Sequence, residues 1–365
     1  MKRTPKEIID SIRNSGKDIV ILGPSGNKNK QDYRLRVYSN GSDIGKIPIT
    51  MDGECELATK KSKLVPGDIY PYDKAKYLRK EGFVNGRGTI IENKDIELLE
   101  ERYHSILNGM TVEEYYVQHF CEAAVNRDYL ISDPVYLDMA CLAAYNWSFN
   151  KKKNKKLGER GVQTHIARRC MDEKPGDGLI VTDIEFTMGG VSDGEVDFVL
   201  FDGKRFGLVE LKYNAESMGS GQDNSLYDHM CDFYKVLSDN EKSKEQLKQC
   251  LYRAEILSRK GIEVISNDWN PVFGEMIDSI ENEADPKRLM WCGFLFVGGD
   301  KTVVLDEVKK QLLSNESIPG RKELNLREKR FDGIDVMYQY VSEKKYSDEN
   351  YKITMSKDIR TILDL

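Results

Sequence analysis

No stretch of this 365-residue chain approaches the ~18 consecutive apolar residues that a membrane-spanning helix needs. Nor does a signal-like apolar segment follow the charged start MKRTPKEIIDSIRNSGK, so a soluble, cytoplasmic protein with no membrane partner is expected. The cysteines, Cys55, Cys121, Cys141, Cys170, Cys231, Cys250 and Cys292, include no CxxC pair and sit mostly in apolar surroundings, as reduced buried thiols do. The four histidines, His104, His119, His165 and His229, have no zinc-type spacing, so a zinc site is not expected. GPSGNKNK at 23–30 is rich in glycine and lysine but departs from GxxxxGK[ST], so it reads as a turn rather than a P-loop. Positive charge is not in excess: 55 Lys and Arg stand against 61 Asp and Glu, a net charge of -6. No global basic field therefore advertises a nucleic-acid partner, although a local basic groove is compatible with a negative net charge.

The length is enough for two or more structural units. Residues 1–16 predict a short helix and KDIVILG a strand. The following stretch alternates short apolar runs with Gly, Asn, Asp and Pro turns, giving an N-terminal mixed or β-rich unit over 1–95. Residues 96–150 read as a helical segment, with Thr111 and Glu114 forming a capping box and Ser132, Asp133 and Pro134 opening another helix. Residues 151–300 carry the motifs described next. Residues 301–365 form a C-terminal extension with a helix around 304–314, a turn at Pro319-Gly320 and a strand in GIDVMYQYVS. Its candidate roles are a cap, a target-recognition element or a homodimer surface.

The segment GEVDFVLFDGKRFGLVELKYN, 194–214, alternates side chains with the period of two paired strands joined at Asp202-Gly203. If the loop is Asp202 to Arg205, Phe201 faces Phe206 and Asp197 falls opposite Glu210. A two-residue Asp202-Gly203 loop makes them diagonal neighbours on the same face, because face follows parity. Opposed carboxylates destabilise an ordinary hairpin by up to ~1 kcal/mol. A divalent cation reverses that sign, since magnesium prefers one or two carboxylates completed by water and phosphate oxygen. Lys212 shares the face, where an ammonium can orient a water and stabilise charge on a phosphate. The cluster predicts a phosphoryl-transfer site; the plainer alternative is a solvated hairpin face.

Asp197, twelve intervening residues and Glu210-Leu211-Lys212 resemble the signature of the PD-(D/E)xK nuclease superfamily, with Val196 in place of the usual Pro. The surrounding pattern agrees over roughly 157–300. GERGVQTHIARRCM carries Val162, Ile166 and Cys170 on one helical stripe, and DGLIVTDIEFTMGG is strand-like. Helices are predicted over 222–238 and 243–260, and LMWCGFLFVGG is a buried strand closed by glycines. The resemblance implies an α/β fold with a restriction-endonuclease-like core, α-β-β-β-α-β, around a central mixed sheet flanked by helices. It implies a metal-dependent DNase or related nuclease of restriction, repair or defence type. Mg²⁺ or Mn²⁺ would be held by Asp197, Glu210 and the Leu211 carbonyl, with Lys212 acting on the attacking water and nucleic acid, above all DNA, as partner.

By the same resemblance, Glu159 joins the metal shell and Gln163, one turn on, faces the same way. Gln249 and Tyr252, with Gln246 before them, are similar to the Gln-and-Tyr helix of the RecB-like branch, though spaced Gln-x-x-Tyr. Each has a local alternative: Glu159 also suits a helix dipole, and Leu247, Leu251 and Ala254 mark a core-packing helix. Glu113, Glu114 and Glu122 are second choices for the extra acid. Lys151, Lys152, Lys153, Lys155, Lys156 and Arg160 are candidate phosphate contacts, or a solvated linker. Glu185, on the parity of Asp183, either approaches the metal or faces solvent. Asp223, Asp228, His229 and Asp232 read as a polar loop running into a solvated helix face, and no catalytic role is expected of His229. Two other classes stay open: a catalytically inactive binding protein of this fold, and a metal-dependent phosphohydrolase acting on nucleotides.

Overall fold

A computed structural model describes residues 4–24, 34–40, 42–49, 78–79, 82–85, 88–91, 93–116, 118, 133–150, 159–188, 194–213, 218, 225–315, 326, 331, 333–346 and 351–363. The chain divides into two compact units, Met1–Arg168 and Arg169–Leu365.

The first unit opens with α1 (Pro5–Arg13), started by a Thr4–Glu7 capping box and a proline at the first helical turn, and burying Ile8, Ile9 and Ile12. Strands β1 (Ile19–Leu22), β2 (Arg34–Ser39) and β3 (Ser42–Pro48) form one antiparallel sheet. Strands β4 (Leu78–Arg79), β5 (Gly82–Asn85) and β6 (Gly88–Ile91) form a second. Helices α2 (Asn93–Leu107), α3 (Val112–Tyr116) and α4 (Pro134–Asn150) follow. The Thr111–Glu114 capping box forms as expected, and Asp133 caps α4 by accepting from the N–H groups of Val135 and Tyr136 at 2.9 and 3.0 Å. Helix α5 (Glu159–Cys170) buries Val162, Ile166 and Cys170 and runs across the division between the units.

The second unit is α/β, built on a mixed six-stranded sheet flanked by helices. Strands β7 (Ile180–Thr187), β8 (Glu195–Phe201) and β9 (Phe206–Tyr213) make an antiparallel meander. Helices α6 (Leu226–Leu237), α7 (Asn240–Ser258) and α8 (Asn270–Asn282) then carry the chain to β10 (Met290–Val297), which pairs parallel to β9. Helix α9 (Lys301–Asn315) leads to β11 (Val336–Val341), parallel to β10, and after α10 (Glu343–Tyr346) a two-residue β12 (Lys357–Asp358) closes the order β12-β11-β10-β9-β8-β7. Two features differ from the sequence expectation. Helix α8 was not anticipated, and the chain beyond residue 301 supplies two strands of the same sheet.

One sheet face carries Phe201 and Phe206, whose rings stack with centroids 4.5 Å apart, and Phe294, which meets Phe233 of α6 at 6.0 Å. Trp269 and Phe273 pack on Phe201 at 5.7 and 5.4 Å, so α6 and α8 both cover this face. On the opposite face Gly207 is required by its neighbour: a Cβ there would lie 2.1 Å from the Trp291 ring.

Candidate active site

The hairpin β8–β9 is pinned by its turn. Asp202 donates its N–H to the Arg205 carbonyl at 3.2 Å, and its Oδ1 accepts from the N–H groups of Lys204 (2.8 Å) and Arg205 (2.6 Å). Gly203 takes the left-handed φ of 93° that the turn demands. The register runs from Phe201 opposite Phe206 to Phe198 opposite Val209. One step further places Asp197 opposite Glu210. Counting outward from the Asp202–Arg205 bond makes them a non-hydrogen-bonded pair, the kind whose Cα atoms approach to about 4.5 Å. Because pairing stops at Phe198–Val209, the Leu211 N–H donates instead to Asp197 Oδ2 at 2.8 Å. An extended residue directs its N–H and C=O to the same side, so the Leu211 carbonyl also points toward Asp197, where the ladder has ended.

Glu210 is 4% and Lys212 6% exposed, although both lie on a strand between two neighbours. Lys212 Nζ donates to Glu210 Oε2 at 3.3 Å. Burial, and next the Asp197 carboxylate, push the Glu210 carboxyl well above the ordinary range, against the opposing pull of Lys212. The buried Glu210 carboxyl thus lies under the opposing influence of an ammonium and a second carboxylate.

His229, from the first turn of α6, completes the cluster. Lys212 Nζ lies 3.2 Å from His229 Nε2, and Nδ1 lies 3.4 Å from Glu210 Oε1. An ammonium only donates, so Nε2 must accept and the ring proton belongs on Nδ1, on the Glu210 side; this tautomer is assigned from the partners. Burial, then the Lys212 charge, lower the His229 pKa to about 3, with Asp228 opposing, so the ring is neutral at physiological pH. The expectation that His229 serves a solvated helix face is corrected here. Its position follows from the Ser225–Asp228 capping box, which starts α6, and from Phe233 one turn on, which faces the sheet.

The other predicted residues are distributed as follows. Glu185 is level with Asp197, between the pairs Ile184–Phe198 and Phe186–Val196, and adopts a left-handed φ of 50° on a strand. Asp183 instead makes a buried ion pair with Arg253 of α7, whose guanidinium also lies over the Phe186 ring at 4.6 Å. Asp228 caps α6 and Asp232 pairs with Lys235 at 2.8 Å. Gln249 bonds Glu245 of its own helix at 3.1 Å, Tyr252 is half-buried, and Gln246 is the fully buried glutamine of α7. Glu159, the first residue of α5, is half-buried and Gln163 is buried, both in the first unit. Lys151, Lys152, Lys153, Lys155, Lys156, Glu122 and Asp223 lie outside the described residues, and Arg160 is described only as part of the α5 backbone.

Among the described residues no three His, Cys, Asp or Glu side chains converge into a ready-made metal cage. The donors present are two adjacent carboxylates and a carbonyl directed to the same side. That set fits a hard cation that keeps its waters and takes phosphate oxygens, as magnesium does, rather than an ion caged wholly by protein. Among the described residues no helix is long and apolar enough to cross a membrane. The chain matches no family model, no curated protein and no solved structure.

Proposed function

We propose that the chain is a divalent-metal-dependent nuclease hydrolysing phosphodiester bonds, with DNA as substrate, and that its second unit has a restriction-endonuclease-like core of the PD-(D/E)xK kind. The observation that carries this reading is the juxtaposition of half-buried Asp197 with buried Glu210 and Lys212 on one sheet face, where the β8–β9 ladder ends. Mg²⁺ or Mn²⁺ held by Asp197, Glu210 and the Leu211 carbonyl would supply a water of lowered pKa and neutralise charge on the scissile phosphate. The protein's own part is positional. The Leu211 N–H fixes the Asp197 carboxylate, Glu210 holds the Lys212 ammonium, and that ammonium orients the attacking water in a desolvated site where its charge is felt strongly.

The test is cleavage of plasmid, linear duplex and single-stranded DNA with Mg²⁺ or Mn²⁺ by wild type, Asp197→Ala and Lys212→Ala. Metal-dependent cutting by wild type that falls by ~10²–10³ or more in each variant is expected. No cutting of any substrate, with no metal-dependent rise in melting temperature, sinks the reading and leaves a non-catalytic binding module in its place.

A further inference from the structure

We propose that His229 is a positioning residue for Lys212, its Nε2 serving as the acceptor that fixes where the ammonium points. The inference rests on the nuclease reading of the same site. An ammonium on a four-carbon stem has three donors and many rotamers, so two fixed acceptors are needed to give it one orientation. Glu210 Oε2 at 3.3 Å is the first and His229 Nε2 at 3.2 Å is the second. With both engaged, the direction of the third N–H is set.

The ring is held from several directions at once. The His229 N–H donates to the Ser225 carbonyl at 3.2 Å, and Ser225 Oγ donates to Asp228 Oδ2 at 2.7 Å, so the first turn of α6 is anchored on both sides of the histidine. Phe233, at i+4 and so on the same helix face, packs against Phe294, and Phe294 is the β10 partner of Glu210. The contact that seats α6 on the sheet therefore adjoins the residue beside Lys212. His229 Nδ1 lies 3.4 Å from Glu210 Oε1, beside the same carboxylate that Lys212 uses. A core histidine satisfied by backbone carbonyls would need neither side chain.

Side-chain geometry supplies a discriminating pair of substitutions. The amide of a glutamine reaches the place of Nε2, whereas that of an asparagine reaches only the place of Nδ1. His229→Gln keeps an acceptor for Lys212; His229→Asn and His229→Ala do not. With linear duplex DNA and Mn²⁺, kcat is expected to fall ~10–100-fold in the Asn and Ala variants, as for other residues that orient a reacting group from behind. KM is expected to stay close to that of wild type, and the Gln variant to recover most of kcat. Wild-type cleavage with equal kcat in all three variants overturns the assignment while leaving the nuclease reading intact. So does loss in Gln equal to that in Asn, which would mark a packing role.

A second readout does not need turnover. In ¹⁵N-labelled protein, which has only four histidines, His229 should show the proton on Nδ1, and Lys212→Met should return it to the ordinary Nε2–H form. A proton on Nε2 in wild type overturns the assignment whatever the cleavage assay gives. A proton on Nδ1 without any cleavage by wild type removes the nuclease reading, and with it the catalytic consequence proposed for His229.

Discussion

Asp138 in the first unit and Glu210 in the second are buried alike, each 4% exposed, and their carboxyls are displaced in opposite directions. Around Asp138 the cations outnumber the acid. Lys17 pairs with Oδ1, while Arg102 and the Tyr103 hydroxyl each donate to Oδ2 at 2.7 Å. Burial alone would raise this carboxyl, but those hydrogen bonds outweigh it and hold it below the ordinary range. Around Glu210 the acids outnumber the cation, and burial and Asp197 win over Lys212. The first arrangement is complete in itself and does structural work. The second sets burial and a neighbouring acid against a single ammonium, and the Glu210 carboxyl is pushed toward its neutral form. A buried acid is thus informative through its balance of partners more than through its burial.

The comparison can be broken most decisively at Glu210. Glu210→Gln removes one charge of the crowded pair while keeping shape, so the melting temperature at pH 8 should rise even as metal-dependent cleavage falls by ~10²–10³ or more. Loss of both stability and activity would show that Glu210 is structural, as Asp138 is. The metal supplies the next largest effect. At a hundred times its dissociation constant, Mg²⁺ or Mn²⁺ should stabilise wild type by ~2.7 kcal/mol. Asp197→Asn and Glu210→Gln should abolish that gain, and Asp138→Asn should preserve it; scanning calorimetry with and without metal decides. Asp138→Ala comes third. Its cations are partly exposed and can turn to solvent, so the loss is that of several charge-assisted hydrogen bonds, ~1–3 kcal/mol in urea unfolding. A change near zero would mean that the first unit does not depend on this cluster.

These contrasts were only partly legible in the sequence. The hairpin was, because an Asp-Gly turn and a period of two determine which side chains share a face without knowledge of anything distant. Asp197, Glu210 and Lys212 follow from parity alone. His229 was not, because nothing in its own neighbourhood says which way α6 turns; only the seating of Phe233 on Phe294 does, and that contact spans two elements. The parallel pairing of β11 with β10 is likewise a crossover relation invisible to local pattern. Helix α8 was passed over although a Pro in its first turn suits a helix start. On α7 the phase was readable but misapplied. Leu247, Cys250, Leu251 and Ala254 define the buried side, and that phase puts Gln246 inside and leaves Gln249 toward solvent with Glu245.

The smallest effect is the most specific, because two linkages of opposite sign meet at this site. His229 has a folded pKa of about 3 against an ordinary 6.5. As pH falls below 6.5 the unfolded chain takes up a proton that the folded one refuses, and stability is lost. Glu210 has a folded pKa raised well above 4.5. As pH falls through the raised value toward 4.5 the folded chain takes up a proton before the unfolded one does, and stability is gained. Between pH 4.5 and 6.5 the two slopes oppose each other, so wild type should show a shallow profile from this site. His229→Gln should unmask Glu210 and make stability rise relative to wild type as pH falls through that window. Glu210→Gln should unmask His229 and make it fall. Asp138→Asn should run parallel to wild type over the same window, since a lowered carboxyl acts only at more acid pH. Parallel profiles for all three variants would show that the second unit's cluster is as self-contained as the first unit's, and the distinction between the two buried acids would be lost.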